Sequence, residues 1–548
     1  MSGRDEALIS ALPDDILQKI FKLLKIYSLN ESLLLLLSGV CKRWQALIFD
    51  PTGDLLNTLQ IPWHRDNFSA AACGAWVHRH LQSGALHWPL HIFSIDRTEN
   101  HGGFPRPNKS EEFMAILSCA GTALSSLSLY MCSSVFPSRS FPCLWAVPNL
   151  TELTLLDLDY LIPMDLFNSG MSRLRKLERF FIRSQAIQLA GVGAPPCFGL
   201  ECFPEVLCTL PSLQSLQFVN QHLDQIPDGL SQLTRLSQLM IMQCVVKVPY
   251  GFPVPVLATL PSLQSLEFVL RCALPLQGHD PDAAATSKWK QMANIRDLSM
   301  SPVHAEGINC FPVEVAYLTK LQRLTLYDIV GIPQNFDISF LEKSLKVLII
   351  ESSGMIAFPL SMAALESLEI LSVTSCTLKD WSLPALTGLH SLSVTYSNLR
   401  EVPECFCNLT ALKSLRLQGC EITKISPCIS RLQKLCTLDL KGNYLSEVPQ
   451  LAGLTALEVV QLHGNRMPKR RGVKRLRGEG GLILLPKMAV TESSLRWILQ
   501  CRYIRKVYVN VSKEERAKLD GIRQELRRAF HGRHVLDIKV AAQYVPYQ

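Results

Sequence analysis

One spacing recurs through most of this chain and restricts it more than any other feature: Leu-x-x-Leu-x-Leu-x-x-(Asn/Cys)-x-Leu. Its first position falls at Leu124, Leu150, Leu177, Leu213, Leu236, Leu263, Ile295, Leu321, Leu345, Leu368, Leu389, Leu412, Leu435 and Leu457. Two copies are nearly identical, LPSLQSLQFV at 210–219 and LPSLQSLEFV at 260–269. From Leu321 onward successive starts are 21–24 residues apart, and the wider earlier gaps, up to 36, require insertions. Alternating apolar residues over so short a stretch describe a strand with one buried face. A strand of that length cannot bury the face alone, so each copy must stack on the next.

The ninth position of the spacing holds Cys132, Cys244, Cys376, Cys420, Asn443 and Asn465. The chain turns inward there, and a small polar side chain can bond the backbone groups that the turn exposes. Later in each copy comes an Ile/Val-Pro step, as in QIPDGLSQLTRL (225–236) and EVPECFCNLTAL (401–412). Proline stops the strand and steers the chain to the other side. Over residues 119–467 the pattern resembles the leucine-rich-repeat family. The resemblance implies an α/β fold, a curved horseshoe solenoid with parallel strands on its concave side and short helices or extended segments on its convex side.

Near the start, ALPDDILQKIFKLL (11–24) places Ile16, Leu17, Ile20, Phe21 and Leu24 on one helical stripe, with Pro13 and two acidic residues suited to the first turn. SGVCKRWQALIFDP (38–51) gives a second stripe through Val40, Trp44, Leu47 and Ile48. Together, residues 8–51 resemble the F-box family through Leu12-Pro13, Leu17, Ile20-Phe21, Leu24, Val40-Cys41, Trp44, Leu47 and Pro51. The spacer at 25–39 is longer than the family's usual one, and the usual central Asp-Leu step has only Asn30 to Leu33 in its place. The resemblance implies a three-helix module that docks on a Skp-type adaptor and through it on a cullin. Leu12, Pro13, Leu17, Ile20, Phe21 and Trp44 are the expected adaptor-binding residues. Burying each Leu, Ile or Phe contributes roughly 1.5–3 kcal/mol, enough for a specific contact. Leucine-rich helices that simply cap the first repeat are the alternative.

Hydrophobic residues make up 48% of the 548-residue chain and charged residues 19%, as expected of ordered globular material. No apolar run approaches the roughly 18 residues of a membrane span, and the first residues lead into no signal-peptide core. An intracellular, cytoplasmic protein is expected, its 18 cysteines reduced. Charge is uneven: residues 466–548 hold 20 Lys/Arg against 7 Asp/Glu, while the chain before them is net acidic. KRRGVKRLR (469–477) is a solvated segment, a nuclear import signal or a site for acidic partners.

Strand residues that point away from the repeat core would be free to meet a protein client. One such column runs Tyr130, Leu156, Val219, Met242, Val269, Tyr327, and later Thr374, Thr395, Gln418, Lys441 and His463; its neighbour ends in Arg416, Asp439 and Gln461. The early part should be apolar and the late part polar and charged. The expected client-binding residues are Tyr130, Met242, Tyr327, Arg416, Asp439, Lys441 and His463, exposed aromatics and Met being common anchors.

Catalytic and phosphate-binding motifs are missing from the sequence, and HGGF (101–104) has no serine elbow to accompany it. No CxxC occurs, and on a helix His78 and His80 of the cluster at 64–101 would point to different faces, so neither a metal site nor a cofactor is expected. No nucleic-acid motif accompanies the basic tail, so nucleic acid is not an expected partner. The domains expected are the F-box-like module at 8–51, a connecting segment and start of the solenoid at 52–118, repeats at 119–467, a basic linker at 468–490 and a small α/β cap at 491–548. The functional expectation is a non-enzymatic, substrate-recruiting subunit of a Skp-cullin-F-box ubiquitin ligase. A leucine-rich-repeat scaffold or signalling regulator without a ubiquitin link is the alternative.

Overall fold

The computed structural model describes, apart from isolated positions, residues 59–62, 89–93, 124–130, 146–158, 161–184, 199–248, 254–275, 289–301, 313–327, 337–351, 357–446, 453–465, 506–509 and 537–540. The helices expected at 8–51 and 491–548, the basic run 469–477 and Cys132 lie outside them, except that Leu17 is helical and buried. Two compact units are present: Met1–Leu266 with Leu270–Asp282, and Glu267–Val269 with Ala283–Gln548.

In the first unit β1 (Leu59–Pro62), β2 (Pro89–Phe93), β3 (Ser126–Tyr130), β4 (Glu152–Leu158), β5 (Arg179–Ser184) and β6 (Ser215–Val219) pair in parallel, each with the next. Both β6 and the short β7 (His222–Gln225) pair with β8 (Gln238–Val248), and β9 (Ser265–Pro275) follows. The ladder therefore begins two strands before Leu124, the first copy visible in the sequence.

The second unit continues the same logic through β10 (Asp297–Met300), β11 (Arg323–Tyr327), β12 (Val347–Glu351), β13 (Ile370–Thr374), β14 (Ser391–Thr395), β15 (Ser414–Arg416), β16 (Thr437–Asp439) and β17 (Val459–Gln461). Each pairs in parallel with the next, in register. The ladder then extends through β18 (Lys506–Val509) and β19 (Asp537–Val540), which lie within the stretch where an α/β cap was expected.

Register explains the core. Leu324, Leu348, Leu371, Leu392, Leu415 and Leu438 are aligned partners, and all are buried. A parallel strand needs a crossover to reach its neighbour, and the Pro steps start it. Pro163 precedes α1 (Met164–Met171), and Pro403 precedes α3 (Glu404–Cys407), with α2 (Val254–Leu257) between them in the chain. Pro204, Pro227 and Pro359 precede 3-10 turns at Glu205–Thr209, Asp228–Gln232 and Leu360–Ala364. In the first unit Phe167, Phe180, Phe218 and Phe203 form a chain of edge-on and tilted rings, with successive centroids 5.3–6.1 Å apart. Among the described residues no helix is long and apolar enough to cross a membrane.

The inward turn is held by side chains reaching into the preceding coil. Asn443 Oδ1 accepts from the backbone N–H groups of Cys420 (2.9 Å) and Ile422 (3.1 Å), while its Nδ2 donates to the Leu417 (2.6 Å) and Leu440 (3.0 Å) carbonyls. Asn465 repeats this one coil on, accepting from Leu445 N–H and donating to the Leu440 and Leu462 carbonyls. At the same place the thiols of Cys244, Cys376 and Cys420 donate to carbonyls of their own and the preceding strand. Burial pushes the Cys244 thiol up to about 12 and that of Cys420 to about 11, so both stay protonated donors. Two further residues fill this position without matching the Asn/Cys pattern. Gln221, fully buried, accepts from Leu200 N–H and donates to Ser184 Oγ, and Ser397 Oγ accepts from Cys376 N–H.

The residue before each of these is left-handed: Asn220, Gln243, Ser375, Tyr396, Gly419, Gly442 and Gly464 all have φ between 52° and 77°. Glycine suits such a site best. Tyr396 is the exception in bulk, at φ 52° and 61% exposed, and its ring accounts for Gly419. A Cβ on Gly419 would lie 2.8 Å from Tyr396 Cδ1.

One expectation is corrected. Cys407 in α3 and Cys428 in the following 3-10 helix (Pro427–Arg431) form a disulfide, with Cα atoms 5.7 Å apart. The two sit at neighbouring places in successive coils, 21 residues apart in sequence, and stacking brings them within bonding reach. Among the described residues Cys202, Cys208, Cys244, Cys376, Cys405, Cys420 and Cys436 are not joined in disulfides.

Two outcomes test these packing arguments. Asn443→Ala strands two buried N–H groups and a carbonyl and is expected to destabilise the second unit by about 3 kcal/mol, measured by urea denaturation; Asn443→Ser, which can still accept, should recover part of it. Gly419→Ala is expected to cost about 1–2 kcal/mol from its left-handed backbone, plus the collision with Tyr396. In a double-mutant cycle with Tyr396→Gly, the collision component should vanish while the backbone component stays.

Candidate interaction face

Because side chains alternate along a strand, every second residue of the ladder points away from the core. In the second unit this face carries three parallel columns. Val347, Ile370, Ser391, Ser414 and Thr437 form the first; Thr325, Ile349, Ser372, Ser393, Arg416, Asp439 and Gln461 form the second; Tyr327, Glu351, Thr374 and Thr395 begin the third. Gln418, Lys441 and His463 occupy the corresponding places beyond the ends of β15, β16 and β17.

Four of the expected client-binding residues come together here. Arg416 Nε pairs with Asp439 Oδ2 at 3.5 Å, the Asp439 side chain being 7% exposed and the Arg416 side chain 57%. Asp439 Oδ1 also accepts from the Lys441 backbone N–H at 3.0 Å. With so much of Arg416 in solvent the pair contributes at most about 1 kcal/mol, so its main effect is to orient the guanidinium. Burial holds the His463 imidazole below its ordinary range, and the Lys441 ammonium adds to that against the opposing Asp439. Arg416 and Lys441 thus bring positive charge to one buried carboxylate, with the His463 imidazole held toward its neutral form.

Tyr327, half-buried on β11, has different company. Burial raises its phenol, and Glu351 and Glu267 add to the shift. Glu267 is itself raised by burial and by Asp297, with Arg323 opposing; Arg323 Nε lies 3.6 Å from Asp297 Oδ1. Glu267, Asp297 and Glu351 thus make an acidic group beside Tyr327, where the sequence suggested an apolar surface. Between the two groups the floor is hydroxyl: Ser372, Thr374, Ser393 and Thr395, with the Thr374 and Thr395 Oγ1 atoms 2.9 Å apart. Tyr396 stands at the edge of this floor, its hydroxyl bonded by Gln418 Nε2.

The remaining expected residues are separate. Met242, half-buried, lies opposite Val219 in the first unit, where an ion pair also joins Arg179 to Glu152. Tyr130 ends β3 opposite Leu156, and its side chain lies outside the described residues. Of the expected adaptor-binding residues, Leu12, Pro13, Ile20, Phe21 and Trp44 are also outside; Leu17 is 1% exposed, packed within the chain. Glu267, Glu351 and Tyr396 were not anticipated. The first two could have been found by extending the column register to every strand, and Tyr396 by its place one residue before the turn-bonding position. Among the described residues no three metal-ligating side chains converge.

Comparison with known proteins gives two kinds of likeness. The F-box-like family matches residues 9–53. No curated protein matches the sequence. Among solved structures, the leucine-rich-repeat protein LIC12759 of Leptospira interrogans is 18% identical with a TM-score of 0.46, covering 78% of this chain and 92% of that one. The functional domain of InlJ from Listeria monocytogenes is 14% identical with a TM-score of 0.36, covering 62% and 64%. The TLR13–ssRNA13 complex is 17% identical with a TM-score of 0.41, covering 75% and 58%. The repeat spacing, the parallel register with its turn-bonding side chains and the match at 9–53 together identify the chain as an F-box-like domain followed by leucine-rich repeats.

Proposed function

We propose that the protein is the substrate-recruiting subunit of a Skp-cullin-F-box ubiquitin ligase. The observation that carries this is the F-box-like match at residues 9–53, placed ahead of a long repeat ladder. In this reading residues 8–51 dock on a Skp-type adaptor and through it on a cullin. Leu17, buried at 1% exposure, belongs to the core of that module rather than to its contact surface. Ile20, Phe21 and Trp44 supply contacts, with Leu12 and Pro13 at the entry to the first helix. The repeats hold a client with their outward strand residues, Arg416, Asp439, Lys441 and His463 among them.

Such a subunit needs no catalytic residue. It acts by holding a client beside a ubiquitin-loaded conjugating enzyme, which raises the effective concentration of the reacting groups. The Cys244 and Cys420 thiols fit that role of bystander, since burial keeps them protonated and unreactive. The basic run 469–477 suits entry to the nucleus from the cytoplasm.

Binding of a purified Skp-type adaptor to the full chain tests the reading. The wild type should bind, and Ile20→Ala with Phe21→Ala should weaken binding at least about tenfold while the urea midpoint of the repeats stays unchanged, as expected when two anchor side chains are lost from an interface. A folded wild-type chain that fails to bind the adaptor would leave a repeat scaffold with a helical cap.

A further inference from the structure

The outward face of the second unit has a charge order that a general protein-binding surface would not need. At one end Glu267, Asp297 and Glu351 set three carboxylates against the single guanidinium of Arg323. At the other, the cations of Arg416 and Lys441, with the His463 imidazole held toward its neutral form, outnumber one carboxylate, Asp439, which is buried and already engaged by Arg416 Nε and the Lys441 N–H. The strands between, β13 and β14, present only small hydroxyl residues in the second and third columns. A polar floor of small side chains with opposite charge at its two ends suits an extended occupant lying across the strands.

The register sets the length. Glu351 and Lys441 stand in the same column, on β12 and just beyond β16, four strands apart. At about 4.8 Å per strand they are separated by about 19 Å, which an extended peptide at about 3.3 Å per residue spans in about six residues. Building on the client-binding reading above, we propose that this face takes an extended client segment with a basic side chain at one end and an anionic one about six residues away. The basic side chain meets Glu351, with Glu267 and Asp297 adding their negative charge from the neighbouring strands. The anion, a carboxylate or a phosphomonoester, meets Arg416, Lys441 and His463.

Two further observations bear on the occupant. Nucleic acid carries negative charge along its whole length and would be repelled by the three carboxylates. Tyr396, 61% exposed, occupies a left-handed position where three of the equivalent residues are glycine. A large aromatic at a position that disfavours it marks a residue with a task beyond folding. It stands beside Thr395, midway along the face, where its ring can pack on the aliphatic part of the segment.

The test uses the full chain in complex with its Skp-type adaptor and fluorescently labelled synthetic peptides, read by anisotropy. Each peptide carries two lysines and, beyond a Gly-Ser spacer of two or six residues, either two glutamates or one phosphoserine. The six-residue spacer should bind at least about tenfold more tightly than the two-residue one, and the two acidic arms tell carboxylate from phosphate recognition. Arg416→Glu with Lys441→Glu should weaken the six-residue peptides about tenfold, and a peptide with lysines at both ends should regain it. Tyr396→Gly, which relieves the backbone and so keeps the fold, should weaken binding without moving the urea midpoint downward. Binding that ignores spacer length, binding untouched by the charge reversal, or tighter binding of a single-stranded oligonucleotide would each overturn the proposal. Adaptor binding is measured alongside: its retention with failed peptide binding sinks this proposal alone, and its loss with intact peptide binding sinks only the ligase reading.

Discussion

The ladder depends on one recurring problem, the backbone groups left at the inward turn where strand hydrogen bonding stops. Buried N–H and C=O groups must find partners, and here they find them in a side chain supplied by the coil that follows. Asn443 serves Cys420, Ile422 and Leu417 of the preceding coil as well as its own Leu440, and Asn465 does the same for the next boundary. No coil is complete by itself. Apolar burial of the strand leucines drives stacking, but the turn bonds decide that coils stack at one spacing and one register.

This dependence explains the order of bulk and smallness around the turn. The left-handed residue must come one place before the bonding side chain, because the backbone has to reverse there. Where that residue is Gly442 or Gly464, consecutive turns approach closely: a Cβ on Gly464 would lie 3.3 Å from Gly442 N. Where it is Tyr396, the ring leans over Gly419, and the next coil must give up its own side chain. The bulk of one turn has thus dictated the residue at the next.

How much of this was legible beforehand follows from what kind of pattern each feature leaves. The strand leucines recur at fixed places because stacking tolerates no slip, so the fold and the columns could be read directly. Asn443, Asn465 and Cys420 were readable for the same reason. Gln221 and Ser397 were hidden because the requirement at that place is for a buried acceptor or donor of suitable reach, which the motif records only as Asn or Cys. The cationic group at Arg416, Asp439, Lys441 and His463 was visible in the column order. The acidic surroundings of Tyr327 were not, since Glu267 sits in a wide-gap copy and Glu351 belongs to a strand whose other outward residues are apolar Val347 and Ile349. The Cys407–Cys428 disulfide escaped notice because composition says nothing about which crossover residues meet.

The parallel pairing of β17 with β18 has a further consequence for the stretch between them. Gln461 and Tyr508 are register partners, so the chain that leaves β17 returns to the adjacent place in the same sheet. The pairing of Val459–Gln461 with Lys506–Tyr508 ties the two segments together independently of the covalent stretch that links them. A polypeptide cut within it would stay joined to the protein through β18 and β19, held by the sheet instead of by the covalent chain.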